Sequence, residues 1–433
     1  MALAMVFTSC NFLDVEPVGK VIPKETAEYR AMLTTVYAKK IPNYKRFLIV
    51  RADELQLPDE YSWSYSTYFD LGIWNDQNPN PETRSYPYED FYNAIFYPNH
   101  IITEKDKIVS DGSEPISQIV AEAYALRAFL HFELVNIFAK PYSSENLSVK
   151  AIPLSTVIDI EQEYPRATLQ DVYTQIESDL ANAELLMVLN EQKPPYNYRF
   201  SKEALLAFKA RIALYKGEWA KAYQIATELI KMRPELENMN DAASVLPYNY
   251  KSKEAILAMT GFIDKDIHYD MPLTNDLVAL YNKENDSRFT KYFIKKNSTY
   301  YLSKGLQAEE KSTFRTAEIY LIAAEAAANL GNDAAAKELI LALTVNRLTP
   351  EFFATESVRV NGLSHEELVV EIQTERRREL AGEGHRWFDL RRTTRPEIVK
   401  TSGGTTYVLQ QNDDRYTVAF PKSAIINNPL LRD

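Results

Sequence analysis

The sequence predicts a mainly α fold: a TPR-like superhelix of helical hairpins with loop-rich insertions and little β-structure. Three observations predict it. Long segments repeat apolar residues at helical spacing, one helix–turn–helix register occurs twice, and glycine is scarce, 12 in 433 residues.

The elements are taken in chain order. Residues 11–23, "NFLDVEPVGKVIP", read as an extended tether, and a first helix is expected over 25–40. Segment 56–90 is loop-rich, with Pro58, Pro79, Pro81 and Pro87 among many Asn, Asp and Ser residues. A helix over 88–97 should stop or kink at Pro98, which lacks the amide a helix interior needs. Residues 113–139 are apolar nearly all round, as a buried helix requires. Thr168 starts an amphipathic helix running to about Leu189, with Asp171 placed to favour its positive end, and Pro194 and Pro195 break it.

The repeat sets the architecture. In 205–234, small Ala210, turn residue Gly217 and small Ala222 are spaced so that two antiparallel helices can approach closely. The register recurs later, with Ala324, Gly331 and Ala336 in the same places. The expected helix pairs are therefore about 113–190, 201–234 and 313–346, in one domain spanning 24–433. Residues 1–23 form a residual signal and tether, 56–90 and 235–312 are irregular insertions, and 364–433 is a C-terminal motif region. Residues 345–363 and 394–433 also read as irregular. Irregular segments on a rigid scaffold are where binding residues gather.

Composition removes several functions. A net charge of −11 argues against nucleic acid and against broad adhesion to anionic lipid. The single cysteine, Cys10, permits no disulfide within the chain and no cysteine-based metal site. It comes after a short apolar run ending Thr8-Ser9, so it reads either as a lipidation site or as an ordinary cysteine. "HEELV" at 365–369 has Val369 where a zinc protease needs its second histidine; Ser364 and Glu367 read instead as a helix-capping box. There is no P-loop, GxGxxG or GxSxG, so no cofactor is expected, and the five histidines lack ligand spacing. "DKDIHYD" offers Asp264, Asp266 and Asp270 as calcium ligands, but Tyr269 stands where an EF-hand needs glycine, which favours a solvated loop.

The aromatic run at 61–74 is the candidate binding surface. Tyr61, Trp63 and Tyr65 alternate with serine, so an extended strand would turn all three rings one way, with Tyr68 and Trp74 beyond them. Such rings can stack on the apolar faces of sugars; they can equally cover a core. Tyr269, Tyr300 and Tyr301, among the chain's 28 tyrosines, sit in the second insertion and are weaker candidates.

Several segments together resemble one family. "CNFLDVEPVGKVIP", the helix carrying Tyr92, Ile95 and Asn99, "AEAYALRAFLHFELVNIFAKPY", "FRTAEIYLIAAEAAANLG" and above all "ERRRELAGEGHRWFDLRR" resemble, in order, the SusD/RagB outer-membrane nutrient-binding lipoproteins. Gly382, Pro98, Phe420 and Ala424 depart from that pattern. The resemblance implies a TPR-like scaffold anchored by lipid on Cys10 to the outer membrane of a Gram-negative bacterium, facing the exterior. It implies a SusC-like TonB-dependent transporter as partner and an oligosaccharide as ligand, or a peptide as the alternative, with no catalysis. A glycosidase-like enzyme and a pure TPR adaptor are the competing classes. The family has no fixed ligand motif, so the choice of Tyr61, Trp63, Tyr65, Tyr68, Trp74, Tyr269 and Tyr300 rests on composition and placement. The closing motif, dense in charge, reads as structural: Trp387 and Phe388 pack down while Glu379, Glu383 and Asp389 offer partners to Arg377, Arg386 and Arg391.

Overall fold

A computed structural model describes residues 23–158 and 163–432. Cys10 and the tether before residue 23 lie outside the described residues. The helices are α1 (Thr26–Lys39), α2 (Lys45–Arg51), α3 (Ser64–Gly72), α4 (Tyr88–Glu104), α5 (Ile116–Phe138), α6 (Leu169–Leu186), α7 (Lys202–Lys216) and α8 (Trp219–Met232). Next come α9 (Lys265–Asp270), α10 (Asn275–Ala279), α11 (Ser287–Tyr292), α12 (Thr316–Asn329), α13 (Asp333–Thr344), α14 (Pro350–Asn361), α15 (His365–Glu379), α16 (Arg386–Arg392) and α17 (Lys422–Asn427). β-Structure is confined to four antiparallel two-stranded ribbons among the described residues. They are β1 (Lys150–Pro153) with β2 (Arg166–Thr168), β3 (Ala255–Leu257) with β6 (Phe314–Arg315), β4 (Phe293–Lys296) with β5 (Thr299–Leu302), and β7 (Ile398–Ser402) with β8 (Thr405–Leu409). No helix among the described residues is long and apolar enough to cross a membrane.

The fold is the mainly α, TPR-like array that the repeat predicts. α5 is buried from Gln118 to Phe138 and packs between α4 and α6. α7 pairs with α8, α12 pairs with α13, and α12 also lies against α8 and α15, so the two repeat copies stack directly. Ala210, Ala222, Ala324 and Ala336 are fully buried at these crossings, where a larger side chain would hold the helices apart. Gly217 ends α7 at φ 70°, a left-handed conformation that costs other residues and lets the chain reverse at once into α8. Thr168 with Asp171, and Ser364 with Glu367, form complete capping boxes.

Two local expectations fail, and a third fails in part, each for a physical reason. α4 does not stop at Pro98 but runs on to Glu104, because its buried stripe continues through Pro98, Asn99 and Ile101. Asn99 is itself held there: its amide donates to Ser155 and its oxygen accepts from Arg127. Residues 64–72 form helix rather than strand, since Ser64, Tyr68 and Leu71 bury at helical spacing and override the Tyr–Ser alternation. Residues 350–361, read as irregular, form α14; only Val360 is buried, so no apolar stripe announces the helix.

The C-terminal motif is structural, but its partners are not those expected. Glu379 accepts from Arg315 (2.6 Å), Arg288 (3.0 Å) and Arg347 (3.0 Å). Glu383 takes Arg315 and Lys304 at 2.9 and 2.8 Å, and Asp389 takes Arg376 and Arg392 at 2.8 Å each. Arg377 and Arg386 reach Asp53 in the N-terminal region instead. Arg391 donates to the carbonyls of Asn136 and Ala139 at the end of α5. Glu379 and Glu383 thus meet cations from the second insertion and the last helix pair, whereas Asp389 is held by two arginines of the motif itself. Arg377, Arg386 and Arg391 reach the other way, towards the first part of the chain. Trp387 is fully buried, stacked on Tyr416 with the Arg51 guanidinium 5.0 Å from its ring.

Candidate aromatic binding surface

The first insertion reverses at Asp59, whose carboxylate accepts the Tyr61 amide at 2.9 Å and whose carbonyl accepts the Ser62 amide and hydroxyl. This turn presents Tyr61 and Trp63, 90% and 91% exposed, at the start of α3. Ser64 then ties that end of the helix to the second insertion, its amide and hydroxyl both donating to Asp270 (3.1 and 2.9 Å). Asp270 closes α9, and its neighbour Tyr269 is 60% exposed. Trp63 and Tyr269 are thus each one residue from the same pair of hydrogen bonds.

The β4–β5 hairpin completes this side. Lys296 lies 4.5 Å from the Tyr269 ring centre and 4.6 Å from that of Tyr301, and its ammonium donates to the His268 carbonyl at 3.2 Å. Partial burial pushes Lys296 below the usual lysine value. Burial likewise lowers His268, which donates from Nδ1 to the Leu302 carbonyl. The ammonium thus joins two rings of the second insertion, Tyr269 of α9 and Tyr301 of β5. On the far side of α3, Tyr65 packs 4.4 Å from Phe69, which meets Tyr407 of β8 edge-on at 5.5 Å.

Not every ring chosen from the sequence belongs here. Tyr68 is fully buried; its hydroxyl bonds Asp264, and Arg84 donates to it at 3.0 Å. Trp74 is 1% exposed at φ 61°, with its indole donating to the Arg51 carbonyl at 3.0 Å. Both are core residues: the helical phase of α3 turns Tyr68 inward, and Trp74, two residues past the end of α3, turns in from its left-handed backbone. Tyr300 lies opposite Lys295 across the hairpin, and Tyr301 opposite Ile294, so the two tyrosines face opposite ways. Tyr300 packs on Phe289 (5.0 Å) and under Lys283, leaving Tyr301 as the ring beside Tyr269. The period of two singles out Tyr301 once the hairpin register is known; the sequence alone does not supply that register.

The three aspartates do not converge as a metal site. Asp264 caps α9 through the Ile267 amide and meets Arg84 (2.7 Å) and Arg46 (3.3 Å). Asp266 faces Arg84 at 3.5 Å, and Asp270 is engaged by Ser64. Their oxygens point at donors, and no cluster of three or more possible protein ligands occurs among the described residues.

Known proteins place the chain. Residues 11–214 match a family described as SusD-like, starch-binding and associating with the outer membrane, and residues 136–424 match the SusD family. A SusD-like protein of Formosa agariphila, P38, is 25% identical over 437 residues, covering 83% of this chain and 81% of its own. A SusD superfamily protein of Bacteroides thetaiotaomicron superposes with a TM-score of 0.76 at 21% identity, covering 93% of this chain and 98% of that one. A laminarin-binding SusD-like protein superposes with a TM-score of 0.64 at 23% identity over 86% of this chain and 92% of its own. The helix-pair scaffold, the buried C-terminal motif and the match across residues 136–424 agree, and the chain belongs to the SusD family.

Proposed function

We propose that this protein binds oligosaccharides at the cell surface without transforming them and delivers them to a SusC-like TonB-dependent transporter in the outer membrane. The observation that carries the reading is the pair of almost fully exposed rings, Tyr61 and Trp63, fixed by the Ser64–Asp270 bonds beside Tyr269, Lys296 and Tyr301. Large rings left in water on a rigid mount are unfavourable for the free protein and useful to a ligand that covers them. Pyranose C–H faces stack on such rings, while Lys296 and the nearby carboxylates and amides can bond the hydroxyls. The laminarin-binding member of the same fold supports a glycan ligand. The position of Cys10 supports anchoring by lipid, and since one acyl chain holds a protein only marginally, several chains or the transporter would retain it.

Trp63→Ala tests the reading. The side chain is 91% exposed, so thermal stability should not change, while affinity for a glycan found by array and measured by calorimetry should fall at least about tenfold. Unchanged affinity would remove the surface from consideration. Co-purifying peptides together with an empty glycan array would replace the oligosaccharide with a peptide. Delivery is tested separately: the full chain should co-purify with a TonB-dependent transporter from detergent-solubilised outer membranes, and Cys10→Ser should release it from the membrane fraction.

A further inference from the structure

A groove of about 1040 Å³ lies away from the aromatic surface. Its walls are the turn between α1 and α2, the outer face of α4 and the C-terminal α17, and its floor includes Pro153 and Ser155. None of these segments carries a residue of the ring surface. The volume is at the upper end of the roughly 300–1,000 Å³ of small-molecule sites, which suits a chain of several rings rather than a single small metabolite.

The chemistry of the walls is specific. α4 buries Phe91, Ala94, Ile95 and Pro98 and turns Glu89, Asn93 and Phe96 outward. Phe96 is 48% exposed and rests edge-on against Tyr97, whose ring has the Lys40 ammonium 5.8 Å from its centre. Val157 and Ile158, 47% and 37% exposed, also line the groove and add apolar surface to that of Phe96. Amides line it as well. Asn43 and Asn93 are exposed, and neither side chain has a hydrogen-bond partner among the described residues. Asn427 makes only a 3.3 Å bond to Glu89. Each amide offers a donor and an acceptor, the combination that a pair of ring hydroxyls matches. The charged residues of the lining are Lys39, Lys40, Glu89 and Asp90, two of each sign, which gives no preference to a phosphate, a sulfate or a cation.

We propose that this groove is a second carbohydrate-binding site, taking a neutral oligosaccharide whose ring faces lie on Phe96 and the Val157–Ile158 edge and whose hydroxyls bond Asn43, Asn93 and Asn427. It rests on the reading of the protein as a glycan binder but not on the ring surface being the site. Two sites on separate elements would let one polymer chain be held twice, converting the second contact into an intramolecular one.

The test uses the full chain carrying Trp63→Ala and a panel of neutral gluco-, manno- and xylo-oligosaccharides, read by calorimetry and by hydrogen exchange of α4. The variant should bind one panel member with α4 protected. Adding Asn93→Ala and Phe96→Ala should weaken that binding at least about tenfold with an unchanged melting temperature. Failure of the Trp63→Ala protein to bind any member overturns the groove, whatever the wild type does. Binding with protection confined elsewhere overturns it too, as does protection of α4 only by peptides. Binding by wild type alone would leave the ring surface as the sole site. Equal binding by both proteins, with α4 protected, would support the groove and refute the ring surface.

Discussion

Glu379 is fully buried among three guanidiniums, those of Arg288, Arg315 and Arg347. Burial alone would raise its carboxyl, yet Arg347, Arg315 and Arg288 together hold it well below the usual range. Removing that charge leaves buried cations short of a partner, a loss of about 3–5 kcal/mol for a broken buried pair. Glu379→Gln should therefore lower the unfolding free energy obtained from urea titration by that much, and a change under about 1 kcal/mol would mean that Glu254 and Glu383 compensate. Glu383 is the simpler titration. Burial opposes its ionisation, but Arg315 and Lys304 bring it down to about 2 from an ordinary 4.5. The folded state thus binds the proton less tightly than the unfolded chain does. Its contribution is complete above pH 4.5 and is lost as the pH falls towards 2, about 3 kcal/mol in all. Denaturant titrations at pH 6 and pH 3 should show wild type losing stability between them and Glu383→Gln losing less; parallel losses would assign the acid sensitivity elsewhere.

At the scale of elements, the two helix-ending turns separate conformation from packing. Gly331 and Gly382 both sit at positive φ (74° and 72°). A Cβ on Gly331 would meet nothing within 4 Å, whereas on Gly382 it would stand 2.8 Å from Leu302 Cδ2. Gly331→Ala should cost about 1 kcal/mol for the backbone alone, and Gly382→Ala about 3 kcal/mol once the β5 side chain must move. Equal losses by thermal unfolding would show that the hairpin yields freely. This crowding also bears on the departure of Gly382 from the family pattern, since an aromatic there would have to displace Leu302. What could be read in advance divides along the same line. The helix pairs were legible because Ala210, Gly217 and Ala222, and their later counterparts, carry a local requirement for close approach and reversal. α14 was not, because an exposed helix needs only good ends, here Pro350 in the first turn, and no apolar period. The surface was legible in part. Tyr61 and Trp63 stand out as rings without a core to fill, but Tyr68 and Trp74 are the same residue types put to core use, Tyr68 by the helical phase of α3 and Trp74 by the left-handed turn after it. The partners of Glu379 and Asp53 depend on tertiary convergence, which residue spacing does not encode.

At the scale of the molecule, the closing motif connects segments far apart in sequence. Within residues 375–392, side chains reach Asp53 near the start, Asn136 and Ala139 at the end of α5, Arg288 and Lys304 in the second insertion, and Arg315 and Arg347 of the last helix pair. A solenoid of stacked helix pairs normally couples only neighbours and can fray from an end. Here α15 and α16 are bonded to Asp53 just after α2, so fraying the C-terminal pair leaves half-buried Asp53 without its arginines and strands the buried Arg288 and Lys304 of the insertion carrying Tyr269. The array should therefore unfold as one unit despite its repeat architecture. Asp53→Asn, which weakens the partner of Arg377 and Arg386, should lower the single midpoint seen by near-ultraviolet dichroism. It should speed hydrogen exchange in α2 and α15 together, with the α5–α6 core opening in the same step. Early exchange confined to α15 and α16, with α2 still protected, would show that the C-terminal motif is a separable cap and that the ligand surface does not depend on it.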